Sequence, residues 1–187
     1  QGGIDLGPWV PSMAQAVETG ATHSNAFSIT PADRANVVGQ RYFGPVVLIT
    51  DARCYSATDI FAAGFQDHGI GQVLGVDTNT GAGGANVWTH SLLSQLMSTR
   101  GSVRSPYRAL PAGVDMRVSI RRTLRVADAA GTPVEDLGVV PDERHHLSRR
   151  DVDGTNDDLI AHAADLLDRV HRLAVDGQQH ITGFDAG

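Results

Sequence analysis

Ser56 is the residue of this chain best placed to do chemistry. An apolar, β-branched run from Val46 to Ile49 leads into a polar turn, and an apolar helical stretch begins just after the serine. A hydroxyl at a helix N-terminus lies beside backbone N–H groups that have no intrahelical acceptor, and such groups can hold an oxyanion. The N–H of Ala57 is the nearest of them. A serine hydroxyl is a weak nucleophile at neutral pH, so a base must take its proton. The chain has no lysine, since all 15 of its basic residues are arginine, so a Ser–Lys dyad within it is ruled out; a histidine base would lie upstream of Gln1 or be one of the eight present. Of these, His90, just beyond a glycine-rich stretch, is the best internal candidate and His23 a weaker one. His68 ends the helix that begins at Ser56, more than about 10 Å along its axis, and reads as a C-terminal cap. His145, His146, His162, His171 and His180 read as surface residues. Taken alone, a serine before an apolar helix is an ordinary N-cap.

Two other stretches resemble binding sites and fail on spacing. Asp151 to Asp158 is rich in acids, but its glycine comes too early for a calcium loop and no glutamate closes the twelve-residue pattern. Acids in front of a helix are better read as caps. Thr80-Gly81-Ala82-Gly83-Gly84 lacks the Gly-Lys-Ser/Thr of a phosphate loop. No metal or organic cofactor is implied.

The elements that must position Ser56 follow from pattern. Val46–Thr50 reads as a buried strand, Thr58–Gln66 as a helix and Gln72–Val76 as a second strand. Residues 78–86 read as a glycine-rich loop and Thr89–Met97 as a helix. From Asp115 to Ala127 the period is two: Met116, Val118, Ile120, Leu124 and Val126 share one face of an expected half-buried strand, and only Arg122 breaks the alternation. Asp157–Ala174 is an amphipathic helix with Leu159, Ile160, Ala163, Leu166, Leu167, Val170 and Leu173 on its apolar stripe. Gln1–Pro11 reads as loop, Ser12–Glu18 as a short helix, and Thr30-Pro31-Ala32-Asp33 as a helix start. Strands alternating with helices point to an α/β layer fold. At 187 residues the chain suits one domain, and its net charge of −6 argues against nucleic acid or an anionic membrane as partner. No apolar run is long enough to span a membrane. The single cysteine, Cys54, excludes an internal disulfide and leaves the compartment open.

Four landmarks in order then carry a resemblance: GPVVLIT–SATDIF–AAGFQD from Gly44 to Asp67; Gly75-Val76-Asp77-Thr78-Asn79-Thr80-Gly81; Glu135-Asp136 followed by Gly138-Val139-Val140-Pro141-Asp142; and the final helix with its acidic entry. Together they resemble the serine peptidases of the C-terminal processing (tail-specific) and tricorn-core family. The resemblance implies an α/β fold with the superhelical β-β-α core shared by the Clp protease subunit and crotonase. It implies Ser56 as nucleophile, Ala57 N–H as one oxyanion donor, and Gly2 or Gly3, in what looks like the tail of a glycine loop, as the other. It sets Glu135 where the tricorn branch carries a charge-relay glutamate, and it lines the substrate cleft with Gly81, Gly83 and Gly84. The tail-specific branch uses a lysine at the position of Gly81 or Ala82, so the tricorn-like arrangement, with a histidine base, is the closer pattern.

The expected organisation is a catalytic core over residues 1–176, lacking an upstream segment, and a flexible tail over 177–187. The expected partner is a peptide or protein substrate, with the upstream segment or a second copy as a further one. Two other readings share the fold. One is a non-catalytic ligand-binding module, like the repeats of the interphotoreceptor retinoid-binding protein. The other is an acyl-CoA enzyme of the crotonase type, which would not need the serine signature.

Overall fold

The computed structural model describes residues 7–30, 32–35, 37–98 and 106–182, with side chains as far as 172. It divides into two compact units, residues 1–44 and 45–187. The first unit holds α1 (Trp9–Thr19) and the short α2 (Ala32–Ala35). Helix α1 begins earlier than expected because Pro8 occupies the N-cap and Pro11 the first turn, where a missing N–H costs no hydrogen bond. Gly20, at φ 75°, ends it. The Ser12 hydroxyl accepts the Asn25 N–H at 2.9 Å, and Trp9 meets Phe27 edge to face.

The second unit contains β1 (Val47–Thr50), α3 (Ala57–Asp67), β2 (Gln72–Gly75), β3 (Ala85–Thr89), α4 (His90–Ser98), β4 (Arg117–Arg122), β5 (Glu143–Arg144) and α5 (Asp157–Thr182). Strands β1, β2 and β5 form a parallel sheet in that order, with Val47 opposite Gln72 and Leu74 opposite Glu143. Alternate residues of β1 point to opposite faces. Leu48 packs with Ala62 and Ala63 of α3, Val134 and Val139, whereas Val47 packs with Leu74 and with Leu159, Ala163 and Leu166 of α5. The sheet is therefore covered by α3 on one face and α5 on the other. As an edge strand, β1 is half-buried where a buried strand was expected, and Ile49 is exposed.

Strands β3 and β4 form a separate antiparallel pair with an irregularity between Asn86 and Val87. β3 was not anticipated: its residues span the end of the expected glycine-rich loop and the start of the expected helix. β4 stops at Arg122, where the alternation breaks, but its apolar face is not half-buried. Met116, Val118 and Ile120 are exposed, because no described residues form a layer over that face. Ile160 on α5 is likewise exposed. Helix α5 runs through Thr182, past the expected end at Ala174.

Polar side chains, buried and half-buried, tie these elements together. Asp67, at the end of α3, accepts hydrogen bonds from the Arg125 guanidinium and from Val126 N–H at 3.0 Å. Burial pushes the Asp67 carboxyl up, but these bonds outweigh it and hold the carboxyl below its ordinary value. Gln66 Nε2 donates to Val140 O and to Asp142 Oδ1, and Asp142 Oδ2 accepts Val73 N–H at 2.7 Å. Asp151 takes the N–H groups of Asp158 and Leu159 in the first turn of α5, so the acidic stretch does act as a cap.

His145 is buried, contrary to its surface reading, because its Nε2 lies 2.9 Å from Asp151 Oδ2. A carboxylate can only accept, so that nitrogen carries a proton. His145 Nδ1 meets His162 Nδ1 at 3.1 Å, and His162 Nε2 donates to Glu143. His162 is only half-buried.

The Asp151 carboxyl lies far below its ordinary value. The His145 hydrogen bond is the main cause; burial opposes it, and the N–H groups of Ser148 and Leu159 support it. A carboxyl acidified by folding stabilises the fold above its unfolded value of about 3.9, and that stability is lost as pH falls below it. Asp151→Asn is expected to lower the thermal midpoint at pH 7 by about 2–8 °C, read by circular dichroism. It should also flatten the fall of that midpoint between about pH 4 and pH 2 relative to the unaltered protein.

Candidate active site

The polar turn after β1 is built by Asp51. Its Oδ1 accepts the N–H groups of Arg53 (2.9 Å) and Cys54 (3.0 Å), an Asx turn that stops the strand. Asp77 Oδ2 holds Ala52 N–H at 2.8 Å from across the site. Burial pushes the Cys54 thiol up, which leaves it a poor competitor as nucleophile.

Ser56 follows at φ 58°, ψ −114°. That is the mirror image of extended backbone, a region suited to glycine and costly for a residue with a Cβ. Its side chain makes no capping hydrogen bond, and the residue is exposed. The ordinary N-cap reading of Ser56 therefore fails: the serine occupies the cap position without capping. Among the described residues its hydroxyl has no hydrogen-bond partner. The next two amides separate in role. Thr58 N–H is bonded to Tyr55 O at 3.2 Å, whereas Ala57 N–H has no acceptor among the described residues. A strained, uncapped serine beside a free amide at the positive end of α3 is an arrangement suited to attack on a carbonyl carbon.

The glycine-rich loop lies directly against this turn. Gly81 N–H donates to Cys54 O at 2.8 Å. A Cβ on Gly81 or Gly83 would lie 2.4 or 2.1 Å from the Tyr55 ring, and one on Gly84 would lie 2.4 Å from Val134, so each position requires glycine. Thr80, almost fully buried, donates its N–H to Val139 O and accepts Val139 N–H on its hydroxyl. Asp136 N–H donates to Ala82 O. Glu135 is thereby held beside Gly84, half-buried, with its carboxylate accepting from the Ser119 hydroxyl at 3.3 Å.

Of the residues singled out by sequence, Ser56, Ala57, Gly81, Gly83 and Gly84 come together around one turn, and Glu135 adjoins the same loop. His90 does not join them. It begins α4 at the far end of β3, packs edge to face on Tyr107, and lines a pocket of about 490 Å³ with Ser94 and Asp115 that contains neither Ser56 nor the loop. His68 sits at the C-cap of α3. Gly2 and Gly3 lie outside the described residues. Asp59 was missed. It is fully buried in the first turn of α3, and its carboxylate accepts Ala82 N–H at 3.3 Å and Gly83 N–H at 2.8 Å. Its sequence signal, an acid three residues past the cap position, reads simply as a helix start.

The fold is a mixed α/β one with a parallel sheet. The model of peptidase family S41 matches residues 9–144, most of the chain and both units, and the chain belongs to that family. It is therefore a serine-type peptidase, and its substrates are peptides or proteins. No curated protein sequence matches it.

The strain at Ser56 can be measured. Glycine adopts φ 58°, ψ −114° without penalty, whereas alanine retains it. Ser56→Gly is expected to be about 1–3 kcal/mol more stable than Ser56→Ala in urea unfolding. Equal stabilities would show that the turn is relaxed.

Proposed function

We propose that the protein is an endopeptidase of the tricorn-like type, on a Clp protease/crotonase-like core. Ser56 attacks the peptide carbonyl, and Ala57 N–H is one oxyanion donor. The observation that carries this reading is the backbone of Ser56: a strained serine that makes no capping bond, next to an amide with no acceptor among the described residues, at a helix N-terminus. Gly2 or Gly3 would supply the second donor. The base would be a histidine, because no Ser–Lys dyad can be assembled from these 187 residues. It would reach Ser56 from outside the described residues, from another part of the polypeptide or from a second copy. Glu135 would orient it and stabilise the imidazolium. Gly81, Gly83 and Gly84 would line the cleft, where backbone without side chains lets a peptide approach closely.

The unpartnered Ser56 hydroxyl favours a second reading, in which the same fold binds a ligand without cleaving it. Reaction with a fluorophosphonate separates the two. The protein is expected to label and Ser56→Ala to lose labelling. The rate should rise with pH around a midpoint near 6.5, as a histidine base loses its proton. Labelling that survives Ser56→Ala, or none in the unaltered protein even with the histidine-bearing segment present, would contradict the peptidase reading of Ser56.

A further inference from the structure

Asp59 is a fully buried carboxylate with no place in the mechanism above. No cation is paired with it among the described residues. Its partners are two successive backbone amides of the glycine-rich loop, Ala82 N–H and Gly83 N–H. Successive amides ordinarily point to opposite sides of an extended chain. Here Ala82 has φ 60°, a left-handed conformation that a residue with a Cβ rarely adopts. Such a turn brings adjacent N–H groups into a concavity that suits an anion. The carboxylate that fills it stands three residues after Ser56 on the first turn of α3, and the carbonyl of the same Ala82 accepts Asp136 N–H.

We propose that Asp59 is a positioning residue of the peptidase site. Its carboxylate fixes the glycine-rich loop, and through Ala82 the Glu135 segment, relative to the Ser56 nucleophile. The inference rests on Ser56 being that nucleophile. The charge is stored where water cannot screen it, and it is balanced by amide dipoles and the N-terminus of α3. Shape alone would not preserve the clasp. Asp59→Asn keeps the volume but offers one acceptor where two are needed, and it turns an NH₂ group toward one of the amides.

The test is the kinetics of fluorophosphonate inactivation, resolved into a limiting rate constant kinact and a half-saturation concentration KI, with thermal unfolding recorded alongside. The proposal expects Asp59→Asn to lower kinact by about 10- to 100-fold, the cost of misplacing reacting groups by around 1 Å. KI should stay within about threefold of the unaltered value, and the thermal midpoint within a few degrees. A merely structural role would lower stability and the active fraction without lowering kinact of the folded protein. If the unaltered protein labels and Asp59→Asn labels with the same kinact, the positioning role is overturned while Ser56 stands. If the unaltered protein does not label even with the histidine-bearing segment present, the Ser56 reading and this one fall together. If Asp59→Asn does not fold, amide hydrogen exchange in the unaltered protein decides. The Ala82 and Gly83 amides should exchange at least about 100-fold more slowly than unprotected amides, and exchange at the unprotected rate would overturn the clasp.

Discussion

A serine held at φ 58°, ψ −114° is the constraint around which this structure is organised. Such a conformation persists only when its surroundings over-determine it, and they do so from three sides. Asp51 closes the turn from within by binding the amides of Arg53 and Cys54. Asp77 and Gly81 fasten the same turn from the end of β2 and from the loop beyond it. Asp59 fastens that loop back to the helix that Ser56 begins. The Tyr55 ring fills the remaining space, which is why Gly81 and Gly83 cannot carry side chains. The serine is therefore held by backbone, and among the described residues its hydroxyl makes no hydrogen bond.

The segments that mark the family in sequence are those that touch one another in space. The Gln66-Asp67 pair at the end of α3 reaches both Asp142 and Arg125. Thr80 pairs with Val139 on both sides of its residue, and Gly138 at φ 64° lets the chain pass within contact of Thr80. Gly75 sits so close to Pro141 that a Cβ would lie 2.5 Å from the proline ring. The spaced motifs are one contact network read out along the chain, and its focus is the loop beside Ser56.

Much of this was legible in the sequence because it depends on local rules. β1, α3 and β2 follow from a β-branched run, an apolar helical period and turn residues between them. The Ser56 junction and the glycine-rich loop follow from the same punctuation. What stayed hidden depends on contacts between distant residues. β3 carries Asn86 and Thr89, and its pairing with β4 outweighs a pattern that points to loop and helix. The even alternation of β4 correctly marks a strand but says nothing about whether a layer covers it. His145 reads as exposed because its burial depends on Asp151 and His162, and Asp59 looks like any acid in a first helical turn until Ala82 and Gly83 are placed against it. The charge on Asp67 is likewise only explicable once Arg125, 58 residues away, is alongside.

On the proposed reading Ser56 is the nucleophile, Ala57 N–H holds the oxyanion and Glu135 stands beside the loop, and the described residues bring no histidine to the Ser56 hydroxyl. The central claim is that this one hydroxyl carries the chemistry. Tandem mass spectrometry of the fluorophosphonate-treated protein tests it most directly, because it reads the adduct residue by residue. The account predicts a single phosphonyl group on Ser56. An adduct on Ser91, Ser119 or any other hydroxyl, with Ser56 unmodified, would contradict it.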